Sequence, residues 1–324
     1  MGVYYQGSNV AQLFYTSERE VVTIYPRFLV DDADFSISAL TKVEDVFRFL
    51  DESKCKRLVV ARHYALGDLL LLIPVLRLLK TKLYYPHITL VTHPRFVEHY
   101  ILKTLGKGVY DAFATDDALA RNQVKYDVGV HLSGVLERDH TQEPYQTTHR
   151  VQIFLDWFGL DESVSWETEL SWKKSDYVVL QTGGSHRHKE LPIETREHLV
   201  KRLQKEKLKV RCVGNGHWVS DEKFLNLIGS ARCLITMDSA PLWISHFTKT
   251  PTVLILGPTR HTERLTMHPL YSKGKATFVA LNEEIGCESC FERIGKCGGR
   301  IDCFNVDKGL VVRRVLDAVR RVTA

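Results

Sequence analysis

From residue 57 onward the chain alternates between two hydrophobic rhythms. Short β-branched runs such as "RLVVAR" (57–62), "HITLVTH" (87–93) and "YDVGVHL" (126–132) read as strands. Between them lie segments with apolar residues at helical spacing: one from Leu69 within "ALGDLLLLIPVLRLLK" (65–80), and "PRFVEHYILKTL" (94–105). A helix over 151–160 and a charged stretch over 161–176 interrupt the rhythm, which then restarts. The second series predicts strands at 177–181, 209–214, 232–238 and 252–257, helices at 193–203, 221–231 and 240–249, and an amphipathic terminal helix at 311–322.

Such alternation predicts an α/β protein with parallel sheets flanked by helices. The interruption predicts two doubly wound, Rossmann-like domains, at 57–172 and 173–324. Residues 1–56 show only a strand-like run (19–30) and a short helix (42–53), and read as an N-terminal appendage. Open parallel sheets bind ligands beyond the carboxyl ends of their strands, so two such domains facing each other are expected to enclose a central cleft.

Three strand-to-helix loops carry the candidate chemistry. In the first, Gly67 and Asp68 precede a helix apolar on nearly all sides, which predicts burial. Asp68 is either an N-cap receiving the N–H of Leu70 or Leu71, or a carboxylate placed for chemistry. Pro74 inside that helix removes a hydrogen bond, costs about 3 kcal/mol and predicts a kink. The second loop, "QTGGSHRHKELP" (181–192), offers Gly183 and Gly184, the hydroxyls of Thr182 and Ser185, and the cations Arg187 and Lys189, with Pro192 ready to start a helix. Backbone amides, a helix N-terminus and a lysine suit a phosphate or diphosphate; the plainer alternative is a glycine-rich turn with exposed cations. The third, "TMDSAPLW" (236–243), sets Asp238 and Ser239 at a strand end before Ala240 and Pro241. Asp238 there is a plain N-cap or a group for sugar hydroxyls and a donor phosphate. Neither a G-K-[ST] sequence nor G-x-G-x-x-G occurs in these loops, so a Walker or nicotinamide site has no positive case.

Composition bounds the partners. The 324 residues are 44% hydrophobic and 26% charged, with net charge +5 and pI near 8.7. This is ordinary for a globular chain of two domains, compatible with an anionic substrate or peripheral contact with a phospholipid surface, and too dispersed to argue for nucleic acid. The start of the chain has neither the charged region nor the apolar core of a signal peptide, so a cytoplasmic protein is expected. Four of the seven cysteines fall in "CESCFERIGKCGGRIDC": Cys287, Cys290, Cys297 and Cys303. Thiolates at this spacing in a glycine-containing loop suit tetrahedral zinc or iron; the alternative is four reduced structural thiols.

The segments "RHYALGDLLLLIPVLRLLK", "GGSHRHKELPIE" and "DSAPLWISHFTKTPTVLILGPT", in this order and spacing, resemble glycosyltransferase family 9, the ADP-heptose heptosyltransferases. The resemblance spans about residues 57–324. It implies a GT-B fold, acceptor held by the first domain, ADP-heptose by the second, and inversion at the anomeric carbon without a metal. It further implies Asp68 as catalytic base and Lys189 as the cation that neutralises the donor diphosphate. Thr182, Gly184, Ser185, Asp238, Ser239, Ala240 and Pro241 would line the donor site. The family usually has a histidine five residues after the aspartate of the third loop; here Trp243 stands in that place, with His246 a turn later. Cysteine-rich nodules also occur in the iron-carrying autotransporter heptosyltransferases, so the implied acceptor is a lipopolysaccharide core or a protein. The alternatives are a GT-B transferase using another nucleotide sugar and a non-catalytic binding or scaffold protein on the same fold.

Overall fold

The computed structural model describes residues 22–24 (backbone), 46–63, 65–121, 123–132, 135–136, 147–184, 189–214, 217, 219–287, 302–304 and 306–324. Two compact units result, one of residues 1–142 and 150–165, the other of residues 143–149 and 166–324.

The first unit is built on a five-stranded parallel sheet of order β1-β5-β2-β3-β4: β1 (Val22–Ile24), β2 (Arg57–Ala61), β3 (His87–Val91), β4 (Ala112–Ala114) and β5 (Val128–His131). Within the expected appendage, β1 pairs with Val128–Val130 as an edge strand of this sheet. Helix α1 (Val46–Glu52) packs against α6 (Arg150–Phe158). Strand β4 and the short α5 (Asp116–Ala120) were not expected from the pattern, since β4 has only three residues. The expected helix at 94–105 is broken into α3 (Pro94–Val97) and α4 (Tyr100–Leu105).

Helix α2 (Leu66–Lys82) begins at Leu66 rather than Leu69 and continues across Pro74. Leu69 to Ile73, Val75, Leu76 and Leu79 are wholly inaccessible. Because every face is apolar, the helix is buried, and it packs against its neighbours α4 and α6. Its one buried charge, Lys80, is matched by Asp111 at 2.5 Å and by the Val109 carbonyl at 3.3 Å. Burial alone would raise the Asp111 carboxyl, but the Lys80 ammonium and the Ile88 N–H outweigh it and hold it below the usual carboxylate range.

The second unit repeats the plan with sheet order β10-β9-β8-β6-β7, again all parallel. Its strands are β6 (Val178–Gln181), β7 (Val210–Cys212), β8 (Cys233–Met237), β9 (Thr252–Leu256) and β10 (Ala276–Ala280). The helices are α7 (Ile193–Lys205), α8 (Asp221–Ser230), α9 (Ala240–Thr248), α10 (Thr262–Leu265) and α11 (Lys308–Thr323). Helix α11 is capped by Asp307, whose Oδ1 receives the Leu310 N–H at 2.8 Å. Its stripe of Val311, Val315, Val319 and Val322 closes the core over β8 to β10. At roughly 1.5–3 kcal/mol per buried side chain, this stripe is a main support of the unit.

Candidate functional site

In both sheets the chain reverses its direction of strand addition, between β2 and β5 in the first and between β6 and β8 in the second. Loops at such switch points diverge and leave room for a ligand beyond the carboxyl ends of the strands. The described residues among those singled out in the three loops sit at these two points.

At the first, Arg62 follows β2 and is fully buried. Its Nη1 donates to the Leu132 carbonyl at the end of β5 (2.7 Å), and its Nη2 to Asp68 Oδ2 (2.9 Å). The guanidinium also lies 5.9 Å from the centre of the Phe154 ring. Asp68 is not an N-cap. Ala65 holds the cap position in extended conformation, and Asp68 falls in the first helical turn. There the helix N-terminus favours its negative charge. Its side chain remains 22% exposed. One residue past Arg62, His63 Nε2 bonds Asp116 Oδ1 at 2.8 Å. The His131 ring lies 5.7 Å from that of His63. Burial pushes His131 down to about 3, helped by the neighbouring His63 ring and the Arg62 guanidinium, so it is a neutral imidazole at ordinary pH.

At the second switch point, Gln181 knits the two loops together. Its Oε1 receives the hydroxyls of Thr236 and Ser239, both at 3.1 Å, and its Nε2 donates to the Gly183 carbonyl at 2.7 Å. Thr182 is buried and its carbonyl receives the Leu191 N–H; among the described residues nothing bonds its hydroxyl. Gly184 lies hard against Lys189: a Cβ on it would stand 2.6 Å from Lys189 Cβ and 2.9 Å from its carbonyl oxygen. The glycine thus lets the loop fold back onto the lysine. Lys189 Nζ is 3.8 Å from Asp238 Oδ2. On its other oxygen Asp238 receives Arg264 Nε at 2.8 Å, and Arg264 Nη1 also reaches Glu263 at 3.1 Å. The carboxylates of Asp238 and Glu263 and the cations of Lys189 and Arg264 therefore balance within one mostly buried network. Asp238 is likewise no helix cap. Ser239 takes that position, and its hydroxyl bonds Gln181 and Met237 instead of the helix amides. Ala240 and Pro241 form the first turn of α9 behind it.

Trp243 and His246 face the core of the unit, with His149, Trp166 and His268 around them. His246 is inaccessible, its Nδ1 bonded to the Leu242 carbonyl, and burial lowers it to about 4. His268 is pushed down by burial and by His246 and His149. Its Nδ1 receives the Leu270 N–H, so its Nε2 donates to Ser245.

Ser185, Arg187, Cys290 and Cys297 lie outside the described residues. The other two cysteines lie on or beside segments that pack against each other. Cys287 bonds back to Asn282, whose short 3-10 helix (Asn282–Ile285) packs against the one bearing Cys303 (Asp302–Phe304). Gly257, at the end of β9, gives Phe304 and Cys303 a seat that any side chain would fill. Among the described residues no group of three or more potential ligands converges on a metal position.

Arg62, His63, Asp116, Gln181, Glu263 and Arg264 were not singled out from the sequence. A charge directly after the apolar run of β2 was a signal for Arg62. Arg264 had none, since it reaches Asp238 from a different loop, 26 residues on.

No protein-family model matches the sequence, and no curated protein matches it. Solved structures do. The iron-containing dodecameric glycosyltransferase TibC from enterotoxigenic E. coli superposes with a TM-score of 0.62 at 16% identity, over 83% of this chain and 77% of that one. ADP-heptose lipopolysaccharide heptosyltransferase II of E. coli gives 0.58 at 12% identity, over 83% and 100%. The family 9 glycosyltransferase of Veillonella parvula gives 0.54 at 16%, over 82% and 97%. The chain has the GT-B type of α/β fold found in these glycosyltransferases.

Proposed function

We propose that the protein is an inverting glycosyltransferase that moves a heptose from ADP-heptose to a hydroxyl of a lipopolysaccharide-core or protein acceptor. The observation that carries this reading is the charge arrangement at the two switch points, one ionisable carboxylate open to solvent on the first unit and a lysine-bearing glycine loop on the second. It supports a donor and acceptor division because TibC, of the same fold, has been solved with ADP-D-β-D-heptose.

In the proposed step the acceptor oxygen forms a bond to the anomeric carbon while Asp68 takes its proton. The carbon–oxygen bond to the diphosphate breaks, and the electron pair leaves on ADP. Lys189 offsets the charge that grows there, with Thr182, Gly184, Ser185, Asp238, Ser239, Ala240 and Pro241 around the donor. Arg62 anchors one oxygen of Asp68 and leaves the other for the acceptor. The buried packing of Trp243 and His246 favours a second reading, in which the donor is a different nucleotide sugar.

Cys287, Cys290, Cys297 and Cys303 are proposed to hold zinc or iron. Packing of the two described segments fits such a site, and TibC is iron-containing. A closed four-thiolate site has no open position, so its contribution would be structural. Elemental analysis near one ion per chain would support it; active, folded, metal-free protein would remove it. The reading places the enzyme in the cytoplasm, in peripheral contact with the inner membrane; among the described residues no helix is long and apolar enough to cross a bilayer.

Calorimetry with a panel of nucleotide sugars tests the central claim. ADP-heptose should bind, Lys189→Ala should weaken it about tenfold or more, and Asp68→Ala should leave binding intact while abolishing transfer. Binding of a uridine or guanosine nucleotide sugar with no response to ADP-heptose would select the second reading.

A further inference from the structure

Gln181 ends β6 two residues before the paired glycines of the second loop. We propose that it is a positioning residue for the donor: by fixing the Gly183 carbonyl it turns the Gly183–Gly184 peptide so that the Gly184 N–H is presented to the diphosphate. This role rests on the transferase reading. It adds to Lys189 a backbone donor whose direction is set by a side chain that itself touches no substrate.

A peptide between two glycines turns over easily, because neither residue carries a Cβ that prefers one face. The outcome matters to an anion. In a trans peptide the C=O and the N–H point in opposite directions, so one unit offers either a donor or a carbonyl oxygen. Here the choice is made from the core. Gln181 is buried, and its Nε2 donates to the Gly183 carbonyl at 2.7 Å. That bond draws the carbonyl toward the strand end and aims the Gly184 N–H away from it. Gly183 is buried and Gly184 half-buried, so the loop passes from core to surface at this peptide. Among the described residues the Gly184 N–H has no protein partner. Lys189 packs on the same glycine, its Cβ 2.6 Å from where a Gly184 Cβ would stand, which joins a cation and an open amide at one residue.

The Gln181 amide is held in one orientation. Its Oε1 receives the hydroxyls of Thr236 and Ser239, both at 3.1 Å. Turned over, it would set Oε1 against the Gly183 carbonyl, two acceptors with no proton between them. Thr236 is wholly inaccessible on β8, so a neighbouring strand holds the amide and the amide holds the peptide. A carboxylate would serve the two hydroxyls equally well. Only the amide also supplies the N–H that the Gly183 carbonyl takes.

The test uses the full chain and three variants. ADP affinity is measured by calorimetry at pH 8 and pH 5.5, each variant against wild type at the same pH, with inorganic pyrophosphate as a second probe that needs no base or sugar contact. At pH 8 Gln181→Glu should bind both about ten- to hundredfold more weakly, since an ionised carboxylate cannot donate and drives the Gly183 carbonyl outward. At pH 5.5 the introduced carboxyl, its proton held more tightly by burial, donates again, so most of the affinity should return. Gln181→Met should lose about tenfold at both pH values. Thr236→Val removes a bond to Oε1 but leaves Nε2 in place, and should stay within about twofold. In protein labelled with 15N-glycine, pyrophosphate should shift the Gly184 amide signal of wild type and leave that of Gln181→Glu at pH 8 unmoved.

Equal affinity of wild type and Gln181→Glu at pH 8 would overturn the positioning role. So would a loss in Gln181→Glu that acid does not recover, or a loss in Thr236→Val equal to that in Gln181→Met, either of which reduces Gln181 to a fastener of loops. If Gln181→Met does not fold, the two pH values of Gln181→Glu still decide. If wild type binds pyrophosphate but not ADP, the donor reading falls and the pyrophosphate series decides the role of Gln181; if it binds neither, both fall.

Discussion

Asp68 and Asp238 occupy equivalent places in the two units, each at the switch point of a parallel sheet and each bonded to a buried arginine. The resemblance ends at what surrounds them. Asp68 has one oxygen on Arg62 and a side chain 22% exposed, whereas Asp238 is 8% exposed and shares Arg264 with Glu263 and its own second oxygen with Lys189. The first arrangement anchors a carboxylate and leaves it available. The second closes the charges on each other, so the carboxylate organises two loops. A buried arginine is therefore the common device, and the two acids differ in how much water reaches them; under the proposed function the open one takes the acceptor proton and the enclosed one holds the donor loops in place.

The sharpest way to break this contrast is to remove the acids' function selectively. Asp68→Asn should lower transfer about 10²- to 10⁴-fold with a change in unfolding free energy below about 1 kcal/mol. A stable, fully active Asp68→Asn protein would return Asp68 to a structural part. Arginine replacement should show the opposite weighting. Arg264→Met leaves Asp238 and Glu263 as buried charges without their cation and should cost about 3–5 kcal/mol in denaturant unfolding. Arg62→Met, next to an acid that water reaches, should cost less than half of that.

Acid sharpens the comparison further, because the second unit buries His246 and His268 and the first His131, all three held below the ordinary histidine value. A depressed histidine binds its proton in the unfolded chain first, so its stabilising contribution is complete above about pH 6.5 and declines as pH falls. For His246 the decline runs to about pH 4 and for His131 to about pH 3. Each such group costs up to about 1.4 kcal/mol per pH unit in its window. Thermal unfolding followed from pH 7 to 4 should lose the second unit's signal more steeply, and His246→Gln should flatten that slope. The smallest effect on function is expected from Gly184→Ala. Its added carbon collides with Lys189, and it should cost about 1–3 kcal/mol and weaken ADP binding a few-fold; unchanged affinity would separate that loop from the donor.

The sequence was most legible where a single periodic segment decides its own structure. Helix α2, strand β9 and terminal helix α11 follow from local apolar spacing, and their ends differ from expectation by only a few residues. Strand β4 and helix α10 were not legible, since three or four residues carry too little periodicity to stand out. Within the site, Asp68, Lys189 and Asp238 were visible because each follows a strand in its own loop. Their partners were not, because a pairing between Asp238 and Arg264, or His63 and Asp116, joins loops 26 and 53 residues apart.

What the sequence determined by itself is the class of fold, the doubled strand-and-helix plan and the acids and lysine that its loops present, because hydrophobic period and loop position are properties of neighbouring residues. Only the tertiary structure decided that neither acid is a helix cap, that Asp68 is anchored yet open while Asp238 is enclosed, and that Trp243 and His246 belong to the core. Those outcomes depend on which side chains parallel pairing brings to the same sheet edge and on how much water remains beside them. Burial and charge pairing are set by groups distant in the chain, so no local pattern carries them.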